Sequence, residues 1–205
     1  MKRTLALAAV PALAISLAAC GDGSGDAKGS TAGHSTPASA APSADAAQGG
    51  HNQQDVMFAQ MMIPHHRQAI EMADLAAARA ASPEVKGLAA DIKKAQGPEI
   101  DQLSAWLTGW GATVPAPGTG GTGHEGHGGM DGMMTAQEMK ELEGAEGAAF
   151  DRAFLEMMIK HHRGAVTMAR KEQSAGRSPA AKKMAGDIVT SQTAEITKMQ
   201  NLLKQ

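Results

Sequence analysis

The chain has 205 residues, with 19 Lys and Arg against 21 Asp and Glu, so it carries no basic field that would hold nucleic acid. Aromatic residues make up 2% and tyrosine is absent, which argues against base stacking and against a β-sandwich core. Methionine is the anomaly: 14 Met and eight His beside a single Cys raise metal chemistry before any motif is read.

Lys2 and Arg3 precede an apolar run over residues 5–19, too short to span a bilayer and of the length of a signal h-region. The run closes in Leu17-Ala18-Ala19-Cys20, which resembles a bacterial lipobox. Residues 1–19 therefore read as a lipoprotein signal peptide, and Cys20 as the lipidated residue that holds an exported protein on the outer side of the cell membrane. Acylation would consume the only thiol, leaving no thiolate ligand, disulfide or cysteine nucleophile. Residues 20–50, rich in Ala, Gly, Ser and Pro, read as a flexible tether. His34 and His51 carry only weak signals there.

The domain proper spans residues 51–205. A first hairpin, 51–110, contains a helix over about residues 52–80, with Phe58, Met61, Met62, His65, Ala69, Met72 and Ala73 at helical spacing. A second helix opens with Ser82 as N-cap and Pro83 in the first turn, and keeps Val85, Leu88, Ile92, Leu103 and Leu107 on one face. Pro64 and Pro98 fall inside these helices, where kinks are expected. A linker rich in Gly, His and Met follows at 111–134, longer than bundle loops usually are. The second hairpin, 135–205, opens with Thr135-x-x-Glu138, which predicts a short extra helix. Its first long helix is expected to start near Phe150, and Ser178 and Pro179 open its second.

The two hairpins are copies. MMIPHHRQAIEMA at 61–73 returns as MMIKHHRGAVTMA at 157–169, and between 55–107 and 151–203 there are 21 identities in 53 positions without a gap. Each copy is one helical unit that buries its apolar face against its twin. The expected fold is all-α, a ferritin-like four-helix bundle of two repeated αα-hairpins, with its topology open between simple up-down order and a crossover.

At about 100° per residue, Met72 lies about 20° and His65 about 40° around the helix from Met61, while Met62 and His66 extend the arc. Met157, Met158, His161, His162 and Met168 repeat the pattern. Met61 with His65, and Met157 with His161, are i,i+4 pairs able to meet at one ion. Thioether and imidazole suit Cu(I), whereas the lack of thiolates and the few carboxylates on this arc disfavour structural zinc and calcium. A methionine stripe is equally what plain core packing looks like. The doubled histidines are less easily explained so, because an imidazole without partners in an apolar stripe costs free energy. His66 and His162 fall at the margin of the arc, where they would be either solvated or in support of the ligands. Arg67 and Arg163 point away from it as surface charges, and Asp55 and Asp151 could hydrogen-bond a histidine ring nitrogen, with capping or surface placement as equal alternatives. In the linker, His124, His127, Met130, Met133 and Met134 form a second, weaker candidate cluster.

The string M-I-x-H-H-x-x-A-x-x-M-A at 62–73 and 158–169, preceded by Phe58 and by Asp151-x-x-Phe154, resembles the domain-of-unknown-function 305 family over residue 53 to the C-terminus. The resemblance implies a ferritin-like four-helix bundle, export, and copper binding or copper tolerance as in characterised members. The expected function is a membrane-anchored lipoprotein that binds copper, with Cu(I) favoured, for sequestration, tolerance or relay, and no enzymatic activity. Two rivals are a helical envelope interaction module without metal and a metal-dependent oxidase. The oxidase is disfavoured because ferritin-like di-iron sites use Glu-x-x-His, which neither repeat contains.

Overall fold

The computed structural model describes residues 50–118 and 132–205. The signal peptide, Cys20, the tether to residue 49, His34, and the linker residues His124, His127 and Met130 lie outside the described residues.

Among the described residues five helices follow one another: α1 (Gln53–Arg79), α2 (Pro83–Gly109), α3 (Ala136–Gly144), α4 (Gly147–Ala175) and α5 (Pro179–Leu202). Their starts are set locally. Asn52 and Asp55 form a reciprocal capping box at α1, and Thr135 and Glu138 form another at α3. The hydroxyls of Ser82 and Ser178 accept backbone N–H groups at α2 and α5, each followed by proline in the first turn. Helix α4 begins three residues earlier than Phe150, the start expected from the sequence. Gly147 turns the chain with φ of +62°, a backbone angle that glycine adopts at little cost, and the cap residue Glu146 makes no side-chain capping bond. Pro64 and Pro98 lie inside continuous helices.

Helix α1 packs on α2 and α4, and α4 packs on α5. Helices α1 and α4 run antiparallel. The Asn52 amide at the start of α1 donates to the Ala175 carbonyl at the end of α4, 2.9 Å away, and Ala80 beyond the end of α1 bridges to Gly147. Since α2 returns along α1, the connection from α2 to α4 has to run the length of the bundle, which settles the topology as a crossover. Its described parts lie along α1: Gln60 donates to the Thr113 carbonyl and Arg67 to the Pro115 carbonyl. After the undescribed stretch, Gln68 exchanges two hydrogen bonds with the Met134 backbone, of 2.7 and 2.8 Å. Arg67 is thus a strap for the crossover, where the helical wheel placed a surface charge.

The apolar interior falls into two clusters. One gathers Phe58, Met62, Ile63, Leu103, Leu107, Met168, Ala185 and Ile188, around the start of α1 and the end of α4. The other gathers Met72, Leu88, Ile92, Leu142, Phe150, Phe154, Met158 and Met199, around the opposite ends of those helices. Residues 65–66 and 161–162 lie between the α1 and α4 members of both clusters, at the middle of the bundle.

Candidate metal centre

His65, His66, His161 and His162 are all fully buried, and they come from the two repeats through the antiparallel register of α1 and α4. The rings of His65 and His161 lie tilted against each other, with centroids 3.7 Å apart and an interplanar angle of 39°. His66 and His162 are not at a solvated margin, as the wheel suggested. The face of α1 that carries His66 is covered by α2, and the face of α4 that carries His162 is covered by α5.

What covers them is specific. His66 Nε2 lies 2.7 Å from Glu99 Oε2 on α2, and His162 Nε2 lies 2.5 Å from Glu195 Oε2 on α5. A carboxylate only accepts, so each imidazole donates through Nε2. The remaining nitrogen, Nδ1, is buried in both rings and has no hydrogen-bond partner. The glutamates themselves keep about a fifth of their side-chain surface exposed. In the sequence Glu99 and Glu195 are one of the 21 identities between the two copies. The signal available was that both stand 33 residues after a doubled histidine. Three residues before them, Gln96 and Gln192 are also buried at matching positions.

Desolvation by burial holds the His161 imidazole well below the ordinary histidine range, and charge repulsion from His65, His162 and His66 adds to it. The ring is therefore neutral near pH 7, the form in which imidazole ligates metal.

The methionines divide. Met62 and Met158 are fully buried one turn before the histidines of their helices, while Met61 and Met157 are half-buried. Met72 and Met168 lie seven residues beyond His65 and His161, about 10 Å along the axis at 1.5 Å per residue. They sit in different apolar clusters from Met62 and Met158 of their own helices. The single arc of the helical wheel is thus spread along the bundle, because a wheel discards axial distance. Met134 is buried in the second cluster, and Met133 lines a surface groove beside Pro64, Gln68 and Met139. Among the described residues, no three His, Cys, Asp or Glu side chains converge as a closed metal site. A metal in this layer would draw on imidazole nitrogens together with the thioethers next to them.

Asp55 and Asp151 do not serve the histidines. Each caps the interhelical turn of the other repeat: Asp55 accepts from the backbone N–H of Arg177 and Ser178, and Asp151 from Ala81 and Ser82. The sequence offset of 96 relates the two caps, which tie the hairpins together reciprocally. One copy carries an addition. Glu172, fully buried where the first repeat has Ala76, shares a hydrogen bond with Asp55. Burial, then the bond and charge of Asp55, push Glu172 up to about 8. Burial works the same way on Asp55, but hydrogen bonds from Glu172 and from the Asn52, Ser178 and Arg177 backbone outweigh it and hold Asp55 below the usual range.

Fold and site together define a duplicated, crossover-connected four-helix bundle with a layer of four histidines at its middle. The chain belongs to the DUF305 family: the model described as "Domain of unknown function (DUF305)" matches residues 55–203. A DUF305 protein of known structure from Streptomyces coelicolor is 32% identical, with a TM-score of 0.66 over 74% of this chain and 92% of that one. CopM in its Cu(II)-bound form is 38% identical, with a TM-score of 0.63 over 73% of this chain and 95% of its own. In its Cu(I)-bound form CopM aligns at 34% identity and a TM-score of 0.61, covering 73% and 95%. No curated protein sequence matches the chain significantly.

Proposed function

We propose that this protein is an exported lipoprotein, anchored to the membrane through Cys20, that binds copper in its bundle and sequesters or relays it outside the cell without a catalytic step. The observation that carries this reading is the layer of four fully buried histidines between two apolar clusters. Four imidazoles are a large polar content for the middle of a bundle core, and a soft metal ion would use their lone pairs. Met62 and Met158, one helical turn away, add the thioethers that favour Cu(I). CopM, similar over most of both chains, has been solved with Cu(II), Cu(I) and silver, and the description of the Streptomyces coelicolor relative proposes that it is secreted. No described helix is long and apolar enough to cross a membrane.

The rival reading, a helical envelope interaction module whose histidines only pack, draws on the absence of three converging His, Cys, Asp or Glu side chains among the described residues. Anaerobic titration with Cu(I) against a competing chelator separates the two. Binding by the native protein, weakened at least about tenfold by His65→Ala and by His161→Ala, is expected, a loss of about 1.4 kcal/mol or more. Native protein that leaves all Cu(I) with the chelator would establish the rival. Full-affinity binding by the double variant would move the site to the linker residues His124, His127, Met130, Met133 and Met134.

A further inference from the structure

We propose that Glu99 and Glu195 are the specificity-determining residues of this layer: each holds a histidine by Nε2 so that Nδ1 is offered as a lone pair, and their carboxylates let the bundle hold divalent as well as monovalent copper. The inference rests on the copper reading above and extends it to residues outside the helices that carry the histidines.

The geometry is duplicated. His66 with Glu99 and His162 with Glu195 are the same contact made twice, at 2.7 and 2.5 Å, each between a fully buried ring and a carboxylate from the following long helix of its own repeat. A ring that ligates metal is in its neutral form, and with the Nε2 proton donated to the carboxylate that form leaves Nδ1 bare. Both Nδ1 atoms are buried and meet no donor, so each is an acceptor whose need the protein itself leaves unmet. A hydrogen-bonded carboxylate on the far nitrogen also fixes the ring's orientation and raises its basicity as a ligand.

Charge then decides which ion is tolerated. Imidazoles and thioethers contribute no negative charge, so an ion held by them alone keeps its full charge in a low-dielectric layer. A divalent ion suffers more from this than a monovalent one. Glu99 and Glu195 each stand one imidazole ring away from a bare Nδ1, so a cation taken at that nitrogen meets a nearby negative charge that itself remains partly hydrated. A carboxylate at that distance attracts a divalent ion about twice as strongly as a monovalent one, so removing it alters the ratio of the two affinities and not merely their level.

The test compares Cu(II) and Ag(I), the latter an air-stable monovalent probe, on the native protein, Glu99→Gln, Glu195→Gln and the double variant, by competition with chelators. Glutamine keeps the size and an accepting oxygen and removes only the charge. The ratio of Cu(II) to Ag(I) affinity is expected to fall about tenfold in each single variant and at least as far in the double variant, if that variant retains its helical circular dichroism; if it does not, the two single variants decide. A second readout needs no metal: two-dimensional 15N spectra of the metal-free protein are expected to show His66 and His162 protonated at Nε2 and bare at Nδ1. Equal losses for both ions, or no loss, would overturn the selectivity role, and protonation at Nδ1 would overturn the positioning role. Native protein that binds neither ion would instead refute the copper reading on which the inference stands.

Discussion

Replacing Glu172 by glutamine isolates a buried carboxyl that its surroundings hold far above the ordinary carboxylate range. Glu172 is fully buried against Asp55 and titrates at about 8 in the fold, against an ordinary value of 4.5. A folded pKa above the unfolded one means that the native state binds the extra proton, so this group's stabilising contribution is complete below pH 4.5 and is lost as pH rises toward 8. The loss runs at about 1.4 kcal/mol per pH unit across that window and levels off above it. Native protein should therefore surrender roughly 3 kcal/mol from this group by pH 7, and Glu172→Gln none, since an amide does not titrate and still has an N–H to donate to Asp55. Urea unfolding of both proteins, metal-free, from pH 5 to 9 measures this. The difference in stability, variant minus native, should grow in the variant's favour by about 4 kcal/mol between pH 5 and 8 and then stay flat. A difference that is constant across the range, or that moves against the variant at alkaline pH, would refute the raised titration of Glu172 beside Asp55.

Three further outcomes are expected. Asp151→Ala removes the acceptor for the Ala81 and Ser82 N–H groups and should cost about 1–2 kcal/mol in the same urea assay, with the histidine layer unaffected. Gly132→Ala should destabilise by at least about 1 kcal/mol, because φ is +87° there and an added Cβ would lie 2.7 Å from the Lys160 carbonyl oxygen; thermal unfolding reads it. Cys20→Ser should release the exported protein from the membrane fraction with its copper content unchanged, measured by fractionation and metal analysis, since anchoring is assigned to the acyl chains and binding to a domain some 30 residues away.

The amino-acid sequence by itself determined the helices and the duplication. Apolar residues at helical spacing, Ser-Pro and Thr-x-x-Glu starts, and 21 identities at one offset are properties of neighbouring residues, and those are what a linear chain displays. It also marked the four histidines, since a polar pair inside an apolar stripe breaks the pattern in both copies. Tertiary structure decided what those residues meet. The antiparallel register of α1 and α4 sets His65 on His161, and puts Met72 and Met168 in different clusters from Met62 and Met158, a separation along the axis that periodicity does not record. It also sends Asp55 and Asp151 across to cap the opposite hairpin, and brings Glu99 and Glu195 onto histidines 33 residues earlier. The reason is geometric: helical periodicity reports which face of a helix is buried, while the partner on that face depends on how far each neighbour is slid along it and in which direction it runs. For this bundle the crossover between α2 and α4 gives the direction, and contacts between residues far apart in the chain, such as the Asp55 and Asp151 caps, fix the slide.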